Sequence, residues 1–216
     1  PETMRRGIRR LPPGCTALIR PGHAPEVQRY FEPRFHAVPF RRGDEQARHD
    51  EIAAALADSV ARHMVADVPL GAFLSGGIDS SAVVAQMARL LDRPVRTFSI
   101  GFEEDEYDES RHAAAVARTL GTEHRSLIVR PDADELIERV VLGFDEPFAD
   151  SSALPTFLVA RLARSEVTVA LSGDGGDELF AGYARYGETM ARPELAPLAR
   201  GPLRALARAL PEGTRG

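Results

Sequence analysis

Two glycine-rich stretches of the sequence contain residues suited to phosphate chemistry. The first, "SGGIDSS", spans residues 75–81 and combines Gly76 and Gly77 with three hydroxyls and one carboxylate. Adjacent glycines let the backbone turn sharply and approach an anion closely, and a following helix offers free N–H groups and the positive end of its dipole. The stretch therefore predicts a phosphate cradle. A glycine turn in which Asp79 or Ser80 only caps the helix is the alternative.

The second stretch, "LSGDGGDELFAGY", spans residues 171–183 and holds three carboxylates among four glycines. The carboxylates belong to Asp174, Asp177 and Glu178. In an isolated loop of turn-forming residues, solvated charge would explain such a cluster. Beside a phosphate cradle, the same acids indicate a functional loop, so the two stretches are interpreted together.

Strands and helices alternate around these stretches. Apolar runs and helical periodicity predict an amphipathic helix at residues 44–64, then strands at 68–74, 95–102, 123–129 and 167–173, and helices at 80–91, 109–120, 133–142 and 154–164. Strands separated by helices pair in parallel, so the fold class is α/β, an open, mostly parallel sheet with helices on both faces. Ligands of such sheets bind beyond the carboxyl ends of the strands, where both stretches lie.

The composition is that of a globular protein and narrows the class of function. The chain has 216 residues and a net charge of −5, which gives no basic surface of the kind that binds nucleic acid. No apolar run reaches the roughly 18 residues of a membrane span, and arginines interrupt the region where a secretory signal would need an apolar core. We therefore predict a cytoplasmic protein with neither a membrane nor a nucleic-acid partner.

The cysteine and lysine content excludes several kinds of site. The single cysteine, Cys15, allows neither an internal disulfide nor a multi-thiolate metal site, which fits a reducing compartment. All 27 basic residues are arginine. Without lysine, a Walker A phosphate loop and a Schiff-base mechanism are excluded within these residues.

The two ends of the chain differ from its centre. Residues 1–43 are rich in proline, glycine and arginine, and they predict turns around one short strand near residues 17–20. The segment after Tyr186 is rich in alanine, leucine and arginine with interspersed prolines, which favours short helices. We expect a central domain at residues 44–190 and a separate part from residue 191.

Three motifs together resemble a known family. Residues 75–80, "SGGIDS", match the signature of the PP-loop, the pyrophosphate-binding loop of the N-type ATP pyrophosphatases, which cleave ATP between its α- and β-phosphates. With "DVPLGAFLSGGIDSS", "DEPFADSSALPTFLVAR" and "LSGDGGDELFAGY" in this order, residues 44–186 resemble the synthetase domain of glutamine-dependent asparagine synthetases. The resemblance implies an adenine nucleotide α-hydrolase-like fold that uses ATP and Mg²⁺.

The resemblance also implies roles for individual residues. Asp79 and Asp177 match the two magnesium ligands, and Asp174 matches the catalytic position linked to forming a β-aspartyl-AMP intermediate. Many relatives carry glutamate at that last position, so the side chain here is shorter with the same charge, which affects geometry more than chemistry. The residues implied to bind ATP are Leu74, Ser75, Gly76, Gly77, Asp79, Ser80, Ile100, Ser172 and Gly173.

The implied reaction is the conversion of aspartate to asparagine. The aspartate carboxylate attacks the α-phosphate, pyrophosphate leaves, and ammonia displaces AMP, which needs positioning and charge neutralisation more than a protein nucleophile. A relative that adenylates another carboxylate, as β-lactam synthetases and peptide-cyclising enzymes do, shares the nucleotide motifs. A nucleotide-binding module without turnover is a third interpretation, but it would not need both magnesium ligands.

The family architecture also gives an interpretation of the two ends. Whole asparagine synthetases begin with a glutaminase domain whose nucleophilic cysteine follows the initiator methionine. Residues 1–43 therefore resemble a remnant of that domain and its linker, and Cys15 is not the nucleophile. The glutaminase domain would supply ammonia from glutamine, residues 191–216 would start a truncated helical C-terminal part, and a homodimer of the full-length enzyme is among the expected assemblies.

Polar stretches outside the two loops have structural interpretations too. Residues 103–110, "EEDEYDES", are interpreted as a solvated acidic loop with Asp108 capping the next helix rather than as a metal site. Residues 145–152, "DEPFADSS", either face the aspartate substrate or provide a serine as a helix cap. His112 and His124 are interpreted as structural or exposed.

Overall fold

The elements of the fold come from a computed structural model, which describes residues 2–34, 43–102, 109–129, 133–144, 147–148 and 150–186. In chain order they are β1 (Cys15–Leu18), β2 (Glu26–Arg29), α1 (Glu45–His63), β3 (Leu70–Phe73), α2 (Ile78–Leu90), β4 (Arg96–Phe102), α3 (Ser110–Leu120), β5 (Glu123–Val129), α4 (Ala133–Gly143), α5 (Ala153–Arg164), β6 (Val169–Leu171) and α6 (Gly176–Phe180). The order predicted for the central strands and helices is confirmed.

Four of these strands form one parallel sheet in the order β5-β4-β3-β6. Ala72 of β3 lies opposite Thr97 of β4 on one side and Leu171 of β6 on the other. All three strand pairs are parallel, so the carboxyl ends of the four strands lie on one edge. The predicted open α/β sheet is confirmed, and its topology brings together the two glycine-rich stretches that follow β3 and β6.

Helices cover both faces of this sheet, and each face has its own apolar cluster. On one face α1, α2 and α3 contribute to a cluster whose buried residues are Val60, Ala72, Leu74, Val84, Met87, Val95, Ala113 and Ala117. On the other face α5 packs over Phe98, which is fully buried, together with Ala163 and Val167. Alternation along β4 explains the division, because consecutive side chains of a strand point to opposite faces.

The first described segment forms a separate two-stranded sheet. β1 and β2 pair antiparallel, with Cys15 opposite Arg29 and Leu18 opposite Glu26. The strand predicted near residues 17–20 therefore begins two residues earlier. The sequence does not predict its partner β2, because "EVQR" contains a single apolar residue. None of residues 2–34 is buried, so this sheet adds nothing to the core of the central domain.

The ends of several elements differ from the predicted ones. β3 begins after Pro69, which has no N–H to donate to a strand ladder. α2 begins at Ile78 with Gly77 as its N-cap residue, so the alternative in which Asp79 or Ser80 caps this helix is wrong. α3 follows Glu109 and α5 follows Ser152, one of the predicted cap residues, and neither forms a side-chain cap hydrogen bond. The predicted cap Asp108 lies outside the described ranges.

Some predictions concern residues outside the described ranges. The acidic residues 103–108 and the segment 187–216, with the predicted domain end and helical part, are among them. Within the described ranges, no helix is both long enough and apolar enough to cross a membrane.

Candidate active site

The first glycine-rich stretch makes a sharp turn between β3 and α2. Gly76 has a φ of +87°, a left-handed conformation that favours glycine. A Cβ atom at this position would lie 2.6 Å from the backbone nitrogen of Ala113, near the start of α3. The backbone angle and the close approach both require glycine. This turn is therefore fixed against α3.

Two serine hydroxyls of this stretch bind within the turn itself, whereas Ser81 Oγ is buried without a hydrogen-bond partner among the described residues. Ser75 Oγ and Ser80 Oγ lie 3.0 Å apart, the Gly77 N–H donates to Ser75 Oγ at 3.2 Å, and Ser80 Oγ donates to the Gly77 carbonyl at 3.3 Å. The first N–H groups of a helix have no carbonyl partner inside it. The hydroxyls therefore shape the cradle, while the N–H groups at the start of α2 remain available to an anion.

The second glycine-rich stretch packs directly on the first. A Cβ atom at Gly173 would lie 2.7 Å from the backbone nitrogen of Ser80, and one at Gly176 would overlap the Asp79 carboxylate. Glycine is required at both positions, because a side chain would push the two turns apart. The parallel sheet thus brings Asp79 against the second stretch, as the placement of both stretches at strand ends predicts.

Two carboxylates of the second stretch line the same cavity as Asp79. Asp174 accepts a hydrogen bond from Ser172 Oγ at 2.9 Å. Asp177 lies in the first turn of α6 and packs closely on Gly182. Among the described residues, none of these three aspartates forms an ion pair. Carboxylates that have no counter-charge among the described residues favour binding of a cation, above all when phosphates approach.

The third carboxylate of the stretch has a different partner. Glu178 accepts a hydrogen bond from the Tyr183 hydroxyl at 2.8 Å. That bond holds the pKa of Glu178 below its ordinary value and raises the pKa of Tyr183. Glu178 is exposed and lines neither of the cavities described next. It therefore supports the loop after α6 rather than the site.

Two adjoining cavities lie at the carboxyl edge of the sheet. The loop cavity, of about 320 Å³, lies between the two glycine-rich stretches and α5. The strand-end cavity, of about 210 Å³, lies between the ends of β3 and β4 and the same helix. Both are lined by Phe73, Ser75, Thr156 and Val159, so together they form one cleft.

The cleft contains nearly all of the site residues that the sequence predicts. The loop cavity is lined by Ser75, Gly77, Asp79, Ser80, Ser172, Gly173, Asp174 and Asp177, and the strand-end cavity by Leu74, Ser75 and Ile100. Gly76 lines neither cavity, because its turn faces α3. The carboxylates thus lie in one part of the cleft, and Leu74 and Ile100 lie in the other.

Helix α5 provides a wall that the sequence analysis did not identify. Pro155, Thr156 and Val159 line the strand-end cavity, and the last two also line the loop cavity. Their spacing places them on one helical face. In the sequence, the feature that could have indicated this wall is a single threonine among the apolar residues of that face. The described residues of the 145–152 stretch line neither cavity, while Asp145, Glu146 and Ala149 lie outside the described ranges.

The donor set fits Mg²⁺ together with a phosphate ligand. Within the part of the chain that the structure describes, no three His, Cys, Asp or Glu side chains are grouped closely enough to hold a metal ion alone. Asp79 and Asp177 line the same cavity. Mg²⁺ is typically bound by one or two carboxylates plus substrate phosphates, and α2 adds N–H donors for those phosphates. The residues present therefore suit a magnesium–nucleotide complex.

Comparison with known proteins places the chain in a family. A family model described as asparagine synthase matches residues 51–215. The chain is 48% identical to a protein of Mycobacterium tuberculosis provisionally named asparagine synthetase (glutamine-hydrolyzing), and 39% identical to asparagine synthetase (glutamine-hydrolyzing) 1 of Bacillus subtilis. Each alignment covers 100% of this chain and 34% of the relative, so the chain spans about a third of the length of these relatives.

A solved structure has a weaker similarity to the chain. The ammonia-dependent NAD synthetase of Campylobacter jejuni superposes with a TM-score of 0.42 at 17% identity, over 62% of this chain and 60% of that one. The family assignment rests instead on the sequence matches, which include the whole parallel sheet and both glycine-rich stretches. On this ground, the chain belongs to the asparagine synthase family.

Proposed function

We propose that this chain provides the ATP-dependent, amide-forming part of a glutamine-dependent asparagine synthetase. The observation that carries the proposal is the contact of the two glycine-rich stretches at Asp79, which joins a phosphate cradle to carboxylates suited to Mg²⁺. Relatives named as asparagine synthetases align over the whole chain, which supports it. In the proposed reaction, aspartate becomes asparagine through β-aspartyl-AMP.

The proposed nucleotide position follows the shape of the cleft. The adenine occupies the strand-end cavity beside Leu74 and Ile100, and the phosphates occupy the loop cavity. There the N–H groups of α2 bind the phosphates, and Asp79 and Asp177 hold the Mg²⁺. Mg²⁺ would supply the positive charge that offsets the pyrophosphate leaving group. Because the substrate carboxylate is the nucleophile, the protein has to position and neutralise charge rather than attack.

Asp174 is assigned to the acceptor side of the cleft. It lines the loop cavity beside the two proposed metal ligands, and the Ser172 hydroxyl fixes its orientation. A carboxylate there attracts the ammonium group of an amino-acid substrate and so orients its reacting carboxylate. We therefore assign Asp174 to formation of the acyl-adenylate.

The remaining parts of the proposal concern the whole protein. We propose that residues 1–43 belong to a glutaminase domain and its linker, and that this domain supplies ammonia from glutamine. Residues 191–216 begin a helical C-terminal part of the whole protein in the same proposal. The whole enzyme acts in the cytoplasm as a homodimer in this proposal.

Exchange of labelled pyrophosphate into ATP tests the proposal on the chain itself. Reversible formation of the acyl-adenylate predicts exchange that requires Mg²⁺ and aspartate but neither glutamine nor ammonia. Calorimetry with ATP and Mg²⁺ checks binding first. Exchange that another carboxylate supports and aspartate does not would favour an enzyme of the β-lactam synthetase or peptide-cyclising type. ATP binding without exchange would favour a nucleotide-binding module without turnover. A folded chain that does not bind ATP would overturn the proposal.

A further inference from the structure

A cluster of polar side chains joins β4 to β5 on the face that α3 covers. His124 of β5 contacts Thr97 Oγ1 through Nδ1 at 2.9 Å and Ser99 Oγ through Nε2 at 3.2 Å. Thr97 Oγ1 also lies 2.9 Å from Thr122 Oγ1. Thr97 is fully buried and Ser99 is 4% exposed. We call these four residues the imidazole cluster, and its ring bridges two residues of β4 that lie two positions apart.

The imidazole cluster lies where β4 loses one of its two neighbours. β3 ends at Phe73, which pairs with Phe98, whereas β4 continues to Phe102. From Ser99 onward, the register pairs β4 with β5 alone. The hydrogen bond between Ser99 and His124 therefore links the side chains of β4 and β5 at the first residue of β4 that no longer pairs with β3. It reinforces β4 where backbone pairing is halved.

This end of β4 forms part of the cleft. Ser99, Ile100 and Phe102 line the strand-end cavity. The loop cavity has separate supports, because its first turn is held by the hydroxyls of Ser75 and Ser80 and by the close contact with α3. A shift of the β4 end would therefore change the strand-end cavity and leave the phosphate cradle in place.

We propose that His124 is a positioning residue for the nucleotide base, because its bridge from Thr97 to Ser99 holds the end of β4 in the conformation that receives the base. The inference rests on the proposed function, since it requires a nucleotide base in the strand-end cavity. His124 does not itself line that cavity, so it acts through Ser99. A neutral imidazole, with one donor and one acceptor, satisfies the hydroxyls on both sides.

Among the described residues, the charged groups near His124 have other partners or face solvent. Its neighbours on β5, Glu123 and Arg125, alternate to the opposite face, where they pair with Arg96 and Glu166. The titratable residues of α3, all exposed, are Arg111, His112 and Arg118. Burial of the ring is accordingly what lowers the pKa of His124 and favours its neutral form.

Binding of AMP and of inorganic pyrophosphate with Mg²⁺ to variants of the full chain tests this role. We expect His124→Ala to weaken AMP binding about tenfold and to leave pyrophosphate binding within about twofold, because the lost hydrogen bonds support only the β4 end. His124→Gln, whose amide keeps a donor and an acceptor, should restore most of the AMP affinity. His23→Ala is the matched control, since His23 is exposed and its ring hydrogen-bonds only to the Pro21 carbonyl among the described residues.

Equal losses for AMP and pyrophosphate in His124→Ala would indicate a general structural role and overturn the inference, as would unchanged AMP binding. If circular dichroism shows that His124→Ala does not fold, Thr97→Val decides the question, because it removes a hydroxyl that contacts His124 and lines neither cavity. A loss confined to AMP in Thr97→Val supports the inference, and any other result overturns it. A wild-type chain that binds pyrophosphate but no adenine nucleotide would contradict the proposed function instead.

Discussion

The two glycine-rich stretches follow strands of one parallel sheet, but the sheet supports them unequally. Residues 75–81 follow β3, a central strand with neighbours on both sides, and lead into α2 with its 13 residues. Residues 172–175 follow β6, an edge strand of 3 residues, and lead into α6 with 5 residues. The first stretch is held by its own hydroxyls and by α3, whereas the second packs on Asp79 and Ser80 of the first.

Two stretches with the same kinds of residues can therefore differ in how their shape is held in place. The first stretch has a defined shape of its own, so it can present N–H groups to an anion before the ligand binds. The second stretch supplies carboxylates whose position depends on the first stretch. The comparison predicts which substitutions affect both halves of the site and which affect one.

Removal of either proposed magnesium ligand should have the largest effect, because in the proposed function both aspartates hold one metal–pyrophosphate unit. In the full-length enzyme, Asp79→Asn and Asp177→Asn should each lower aspartate-dependent pyrophosphate release by on the order of 10² or more. The double variant should be much less than multiplicatively worse, since groups that act as a unit are non-additive. Initial rates of pyrophosphate release measure this.

Glu178→Gln is the matched control for these two variants. It removes a carboxylate of the same stretch that lines neither cavity, so its rate should stay near that of the wild type. Near-normal release from either single variant, or a fully multiplicative double variant, would mean that the two stretches do not share a metal.

Substitution of glycines with positive φ should distinguish the two stretches by stability. Gly76 and Gly175 have φ values of +87° and +95°. A Cβ atom at Gly76 would meet the backbone of α3, whereas nothing lies within 4 Å of one at Gly175. Gly175→Ala should lower the free energy of unfolding by about 1 kcal/mol, and Gly76→Ala by about 3 kcal/mol or more. Urea unfolding measures both, and equal losses would show that α3 yields and the central turn is not rigid.

Removal of one serine hydroxyl from each stretch should lower the free energy of unfolding less than the glycine substitutions do, and again more in the first stretch than in the second. Ser80 Oγ is within hydrogen-bond distance of Ser75 N, Ser75 Oγ and the Gly77 carbonyl, and Ser80 is 8% exposed. Ser172 Oγ bonds only to Asp174 among the described residues. Ser80→Ala should lower the free energy of unfolding by about 1 to 2 kcal/mol, and Ser172→Ala by less than about 0.5 kcal/mol. A larger loss for Ser172→Ala in urea unfolding would reverse the comparison.

The smallest expected effects concern the pH dependence of stability. Burial lowers the pKa of His124 from its ordinary value of 6.5, so the unfolded chain binds this proton more tightly than the folded one. The stability that His124 contributes is therefore present above pH 6.5 and is lost as the pH falls through the lowered pKa. His124→Gln should flatten this decline in unfolding midpoints.

The edge of the sheet should respond only at lower pH. Hydrogen bonding to Tyr183 lowers the pKa of Glu178 from its ordinary value of 4.5, so any contribution is lost as the pH falls below that value. Tyr183→Phe removes this contribution, so it should lower unfolding midpoints slightly at neutral pH and flatten their decline as the pH falls below 4.5. A decline with falling pH as steep as that of the wild type would show that the Tyr183 hydroxyl does not lower the pKa of Glu178.

The sequence predicted the architecture wherever a signal was local and repeated. β4 and β5 are apolar or alternating runs next to amphipathic helices, and their observed bounds lie within one residue of the predicted ones. Both glycine-rich stretches lie at the strand ends, as expected. In contrast, α6 has too few residues for a helical period to appear, and β2 has a single apolar residue.

Contacts between distant segments were not predictable in the same way. Thr156 lines the cleft because α5 crosses the sheet over the ends of β3 and β4, and no pattern within α5 encodes that placement. Thr97 and His124 meet because β4 and β5 pair in one register. A register shifted by one residue would have turned His124 to the other face, so its partners follow from the sheet and not from its neighbours in sequence.

The contact between Gly176 and Asp79 also has a consequence for the order of folding. These residues lie about a hundred positions apart, so closing the loop between them is entropically costly and slow. The β3, turn and α2 segment is continuous in the chain and can assemble before β6 reaches the sheet edge. We therefore expect nascent chains to acquire the cradle early and competence for ATP only at the final step. Pulse-labelled amide exchange that protects α2 no earlier than β6 would contradict this order.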